Sequence, residues 1–176
     1  MPTPAIRPAA LDDIPAITEV YDEAVINGTA SFEIVPPDEA EMARRMRALF
    51  EGDYPYFVAE DANRVIGYGY AGPYRERRAY INTVEDSIYL ASDARGRGTG
   101  GALLRKLIDE AEARGFRQMI AVIGDSQHVA SIRLHKAAGF EIAGTLKDVG
   151  YKHGRWLDSV LMQRTLGLGA RAKPWR

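Results

Sequence analysis

The run Arg95-Gly96-Arg97-Gly98-Thr99-Gly100-Gly101 carries the plainest chemistry in the chain. Glycines at alternate positions let a ligand approach the backbone with no Cβ in the way. If a helix opens at Thr99, its first N–H groups have no partner and face outward, and the helix dipole favours an anion there. Arg95 and Arg97 add permanent positive charge and forked donors suited to phosphate. Together these features describe a cradle for a pyrophosphate. Other chemistries are closed off. The chain has no cysteine, so disulfides, thiolate metal sites and a cysteine nucleophile are excluded. His128, His135 and His153 are 7 and 18 residues apart, which matches no familiar ligand spacing, and no metal is expected.

The cradle needs a strand before it and a helix after it. Residues 83–90 alternate as a strand does: Val84, Ile88 and Leu90 point one way, Glu85, Ser87 and Tyr89 the other, with Asp86 on the mostly apolar side. Residues 99–114 place Leu103, Leu104, Leu107, Ile108 and Ala111 on one helical face, and Gly115 supplies the stop. Upstream, the pattern predicts a strand over 4–7, a helix to about residue 26 with an aspartate cap and Pro15 in its first turn, an extended segment over 30–35, and a helix over about 38–50. A hairpin follows, with strands over 56–59 and 65–71 around a turn at 60–64, then a polar and aromatic connector over 74–80. Downstream come a strand over 117–123, apolar enough to be buried on both faces, and a helix over about 128–138. Then follow a strand over 140–146, a loop over 147–154, a strand over 155–164 and a loose tail. Antiparallel strands followed by a strand–helix–strand–helix–strand unit predict a mixed α/β sheet of six or seven strands with helices on both faces. Ligands of such sheets bind beyond the carboxyl ends of strands, where the cradle falls.

Composition sets the limits. At 176 residues and 46% hydrophobic, the chain suits one domain with a proper core, here assigned to residues 1–166 with a tail over 167–176. A net charge of −1 gives no basic bias, so nucleic acid is not an expected partner. No apolar run approaches the ~18 residues of a membrane span, and the N-terminus lacks the pattern of a secretory signal. A cytoplasmic location, away from membranes, is the expectation.

The glycine-rich run admits more than one reading. A flexible loop with two solvated arginines is the plainest alternative. Gly96, Gly98 and Gly101 also satisfy the dinucleotide fingerprint, but residues 91–95 separate it from its strand and only 75 residues follow it. The nucleotide P-loop is excluded, because no Gly-Lys-Ser/Thr follows. With Arg95, Gly98 and Gly100 in the pattern Gln/Arg-x-x-Gly-x-Gly/Ala, the run resembles the acyl-CoA cradle of the GNAT N-acetyltransferases. From Ile6 to about Leu166 the chain resembles the phosphinothricin and methionine sulfoximine acetyltransferase branch of that superfamily. Besides the cradle, the likeness rests on YAGPYRERRAY at 70–80, TVEDSIYL at 83–90 and GYKHGRWLD at 150–158. It implies a GNAT-type, mostly antiparallel sheet.

The resemblance also implies roles. Glu85 sits where the branch has its general base; an α-ammonium with an ordinary pKa of ~7.7–8 must lose a proton before it attacks a thioester. His135 stands where many relatives have a tyrosine that protonates the departing thiolate, and histidine can carry a proton near neutral pH. The backbone of Ile88, Tyr89 and Leu90 would pair with the pantetheine arm like an added strand. Arg95, Gly96, Arg97, Gly98, Thr99, Gly100 and Gly101 would hold the pyrophosphate. His128 stands where the family has an asparagine that contacts the CoA arm, with Ser131 assisting. Tyr74, Arg75, Glu76, Arg77, Tyr80, Glu85, Asp86, Ser87 and Phe32 would line the acceptor site, the arginines facing a carboxylate or phosphinate. Lys152, His153 and Trp156 belong to a segment that in relatives lies near the site or a homodimer contact.

The expectation is therefore an enzyme that moves acetyl from acetyl-CoA to the α-amine of a small amino acid of the phosphinothricin, methionine sulfoximine or methionine sulfone type. Without a cysteine no acyl-cysteine intermediate forms, which favours direct transfer in a ternary complex. Acetylation of protein N-termini or another amine, and a non-catalytic acyl-CoA sensor, are the alternatives.

Overall fold

The structure is a computed structural model and describes residues 4–174. Seven strands form one sheet: β1 (Ala5–Pro8), β2 (Tyr56–Asp61), β3 (Arg64–Pro73), β4 (Thr83–Leu90), β5 (Gln118–Gly124), β6 (Glu141–Lys152) and β7 (Arg155–Thr165). Their order is β1-β2-β3-β4-β5-β7-β6, and every neighbouring pair is antiparallel except β4–β5. That parallel pair is the crossover around α3 (Thr99–Ala113), which needs a helix to return the chain. The chain's alternation thus yields the expected mixed, mostly antiparallel sheet.

Helices cover both faces. On one, α3 buries Leu103, Leu104, Leu107, Ile108 and Ala111 against Phe57, Val84, Met119, Ala121, Phe140 and Met162. The fourth helix, α4 (Val129–Ala137), lies on the same face, with Ile132 and Leu134 packed on that core. On the other face, α1 (Ile14–Asn27) and α2 (Glu39–Glu51) bury Ile17, Val20, Tyr21, Met42 and Met46 against Tyr56, Val58 and Tyr68. Val84 belongs to the first core and the Tyr89 ring to the second, as the alternation along residues 83–90 requires.

Residues 30–35 lie outside the sheet and are fixed by side chains, through Tyr21 Oη–Ser31 Oγ at 2.9 Å and Arg45–Glu33 at 2.7 Å. Several local expectations need correction. The β2–β3 turn is tighter than expected: Asp61 pairs with Arg64, and Ala62 and Asn63 take φ of 48° and 62°. β5 is not buried on both faces, since Val122 is 39% exposed. Residues 147–152 are strand, not loop. β6 runs to Lys152 and turns through His153-Gly154, with a break in register between Leu146 and Gly150. There Asp158 Oδ1 accepts from the Asp148 N–H and Oδ2 pairs with Lys147 Nζ at 2.9 Å, which stabilises the bulge. The tail is folded as far as Arg171: Leu166 is fully buried and Gly169–Arg171 is a 3-10 turn. Residues 175 and 176 of that expected tail lie outside the described residues.

Candidate active site

The site exists because β4 and β5 part. Their ladder runs only from Thr83↔Gln118 to Asp86↔Ala121. Beyond it a cleft of about 740 Å³ opens, walled by Asp86 to Leu90 on one side and Ala121 to Gly124 on the other. Val122 is exposed because it looks into this opening. Along an antiparallel ladder the N–H and C=O groups alternate sides. Ala91 N donates to Ile66 O, so the odd-numbered residues of β4 spend their backbone on β3. Ile88 then presents its N–H and C=O to the cleft and Leu90 its N–H, the Leu90 carbonyl being taken by Arg95. Of the expected trio, Tyr89 does not: its backbone pairs with Tyr68 and its ring packs on Tyr21 at 4.9 Å and Tyr68 at 5.3 Å.

At the mouth of the cleft stands the start of α3. Gly98 is its N-cap at φ 82°, with no side chain to cap the turn, and Gly96 takes φ 74°. Both lie in the left-handed region that favours glycine. The first backbone bond of the helix is Ala102 N to Gly98 O, which leaves the N–H groups of Thr99, Gly100 and Gly101 without helical partners. The Thr99 hydroxyl is buried and also has no partner. Gly100 and Gly101 are helical, and a Cβ there would meet nothing in the protein closer than 3.3 Å, so their bare backbone serves only an approaching ligand. Four unpaired donors at one helix end fit a pyrophosphate, and the free edge of β4 fits the amides of a pantetheine arm.

The two arginines divide. Arg95 turns back onto the protein: its guanidinium donates to Leu90 O at 3.2 Å and pairs with Glu23 of α1 at 3.0 Å. The same Glu23 accepts from Ser92 N at 3.2 Å. Arg95 therefore fastens the loop to α1, and the expected phosphate contact falls to Arg97, which is exposed and makes no ion pair among the described residues. Glu23 was not legible in the sequence; nothing in a solvated helix glutamate signals a contact 72 residues away.

Where the strands part, Asp86 and His135 meet. Asp86 Oδ2 is 3.0 Å from His135 Nε2, and both side chains are buried. The other ring nitrogen, Nδ1, donates to Ser131 O at 2.8 Å, and Ser131 Oγ stands 3.4 Å from it. Burial opposes charge on the ring, but Asp86 and the Ser131 carbonyl outweigh it and raise the His135 pKa. Asp86, expected to touch the acceptor, instead serves His135, which explains a carboxylate on the apolar face of β4. Its second oxygen, Oδ1, is buried without a partner. Glu85 points to the opposite face and is half-buried. Burial, with repulsion from Asp86 and against attraction from Arg75, pushes its pKa up to about 7. His128 sits at the N-cap of α4 and lines the cleft; burial lowers its pKa.

The acceptor-side residues do not form one cluster. Arg75 lies 5.0 Å over the Tyr74 ring, and Tyr74 meets Tyr80 edge-on at 5.5 Å. Glu76 and Arg77 are exposed in the same connector, and Ser87 is hydrogen-bonded to Tyr70. Phe32 approaches from the other side, its ring seated where a Cβ on Gly124 or Gly150 would come within 2.7 or 2.4 Å. The β6–β7 tip holds that segment: Lys152 Nζ donates to Ser31 O at 2.8 Å, and His153 Nε2 bonds Gly28 O at 3.1 Å. Arg155 and Thr29 both meet Asp125, at the end of β5. Sequence reasoning missed this clamp because it took residues 147–154 for a loop, and it missed Ala24, Gly28, Thr29 and Ala30, which line the cleft. Among the described residues no group of three or more His, Asp or Glu could hold a metal ion.

Comparison with known proteins agrees with this geometry. The model of the acetyltransferase (GNAT) domain matches residues 6–161. The chain is 50% identical to a phosphinothricin N-acetyltransferase of Alcaligenes faecalis over 96% of this chain and 86% of that protein. It is 42% identical to an L-methionine sulfoximine/L-methionine sulfone acetyltransferase of Pseudomonas paraeruginosa over 92% of this chain and 94% of that one. Among solved structures, a GNAT superfamily phosphinothricin acetyltransferase from Sinorhizobium meliloti, in complex with acetyl-CoA, superposes with a TM-score of 0.96 at 52% identity, covering 98% of this chain and 94% of that one.

Proposed function

The chain belongs to the GNAT acetyltransferases, and from that membership and the cleft we propose that it acetylates the α-amine of a small amino acid of the phosphinothricin, methionine sulfoximine or methionine sulfone type. Acetyl-CoA is the co-substrate. The observation that carries the reading is the parting of β4 from β5 beneath an uncapped helix N-terminus, with a glutamate of raised pKa on the central strand. The pyrophosphate would take the N–H groups of Thr99, Gly100 and Gly101 and the charge of Arg97. The pantetheine amides would take the free backbone of Ile88, with His128 and Ser131 on the far wall.

Transfer is direct. Glu85 accepts the proton of the acceptor ammonium, straight or through a water. The freed amine forms its bond to the thioester carbon, and charge building on the carbonyl oxygen meets the N–H of Leu90. The C–S pair leaves with sulfur, and the thiolate forms beside the charged His135 ring and takes its proton from solvent. Arg75 and Arg77 would bind the acceptor's carboxylate or phosphinate, between Tyr74 and Tyr80 on one side and Phe32 on the other. Detoxification in the cytoplasm is the biological role this substrate class supports; no helix of the described residues is long and apolar enough to cross a membrane. Ile142, Leu146, Val149, Tyr151 and Trp156, each more than half exposed on the β6–β7 hairpin, offer an apolar surface for a second copy.

Thiol release from acetyl-CoA tests the reading across phosphinothricin, methionine sulfoximine, methionine sulfone, glutamate, lysine, a short peptide and a polyamine. Turnover with one of the first three is expected. Turnover only with the peptide or the polyamine would discard the substrate class, and tight acetyl-CoA binding without turnover would make the protein a sensor.

A further inference from the structure

We propose that Asp86 is a positioning residue for the transfer, its carboxylate holding the His135 imidazole with Nε2 protonated at the point where β4 and β5 part. The inference rests on the acetyltransferase reading. Geometry carries it. Nδ1 of His135 faces a backbone carbonyl at 2.8 Å, and a carbonyl can only accept, so Nδ1 holds a proton. Nε2 faces Asp86 Oδ2 at 3.0 Å. Asp86 is also the last residue of β4 still paired with β5, opposite Ala121, so the ring it holds cannot drift from the apex of the cleft. Asp86 and His135 both line that cleft.

A ring so held is an imidazolium between a carbonyl and a carboxylate. When the C–S bond breaks, its electron pair goes to sulfur; both N–H bonds of the ring stay with Ser131 O and Asp86 Oδ2, so the imidazolium meets the thiolate as a fixed cation and the thiolate takes its proton from solvent. The buried Asp86 Oδ1, with no partner, keeps the carboxylate's charge poorly neutralised except through His135. The titratable groups acting on His135 are Asp86 from β4 and, on its own helix, His128. Those acting on Glu85 are Asp86, Arg75 from the connector and Tyr70 from β3. Asp86 thus acts on both steps with opposite faces of one strand between them: it favours the cation of His135 and disfavours the anion of Glu85.

The test is Asp86→Asn, which keeps the shape and removes the charge. Its kcat should fall by about 10²-fold with little change in the KM for acetyl-CoA. The acid limb of kcat/KM should move to lower pH, because Glu85 loses a like-charged neighbour; a residue that merely packs would not move that limb. Imidazole NMR of the wild-type protein provides a readout that needs no turnover and no folded variant. His135 should keep protons on both nitrogens at a pH where ordinary histidines have lost one. A His135 that titrates as an ordinary imidazole, or an Asp86→Asn enzyme with unchanged kcat and unchanged acid limb, overturns the proposal. Failure of every amine to accept acetyl would instead overturn the acetyltransferase reading and leave the NMR result standing.

Discussion

Glu85→Gln should separate activity from stability, moving them in opposite directions. The side chain is half-buried beside Asp86, and its pKa rises from an ordinary 4.5 to about 7. At about 1.4 kcal/mol per pH unit, that rise sets a ceiling of roughly 3 kcal/mol on the cost of ionising Glu85 in the folded protein. Partial exposure screens it to roughly 1–2 kcal/mol. The sign follows from linkage. Between about 4.5 and 7 the folded state holds the Glu85 proton more tightly than the unfolded chain, so Glu85 lowers stability as pH rises through that window. Below 4.5 the cost is absent; above about 7 it is complete. Glutamine never ionises and avoids it. The variant should therefore melt at the same temperature or higher at pH 8, while kcat/KM falls by about 10²–10⁴-fold. In the wild type kcat/KM should rise with pH along a limb centred near 7, and that limb should vanish in the variant. The assay is thiol release across pH 5.5–9, paired with thermal melts. An unchanged rate, a limb that persists in Glu85→Gln, or a loss of stability at pH 8 would refute the reasoning.

Three further outcomes follow from the geometry. Arg97→Ala should weaken acetyl-CoA binding by about 5- to 10-fold, more at low salt than at high, without lowering the melting temperature; titration calorimetry at two ionic strengths checks this. Arg75→Ala should raise the KM for the acidic acceptor while leaving that for acetyl-CoA in place; equal changes in both would remove Arg75 from the acceptor site. Trp156→Glu, on the exposed hairpin surface, should shift the molar mass measured by light scattering from dimer to monomer, and a wild-type monomer would end that proposal.

The sequence by itself determined the elements and the cradle. Period-two alternation over β4 and the apolar stripe of α3 come from adjacent residues, and the glycines at 96 and 98 mark their own left-handed conformations. The same alternation put Asp86 on the apolar face but left it unexplained, because its partner is 49 residues away on α4. Only the tertiary structure decided what Arg95 does. Its type and spacing are those of a phosphate ligand, yet Glu23 and the Leu90 carbonyl claim it, and such contacts depend on how α1 lies across the loop. The hairpin of β6 and β7 was hidden for a related reason: residues 147–154 have the composition of a loop, and the bulge that carries the strand past them is stabilised by Asp158 on the facing strand. The cleft is the clearest case. No residue type announces that β4 and β5 stop pairing after Asp86 and Ala121; the divergence arises where α4 and its Asp86–His135 contact meet the sheet's only parallel ladder among the described strands. Local periodicity is written in neighbouring residues, whereas a cavity is the shape left between elements that only packing brings together.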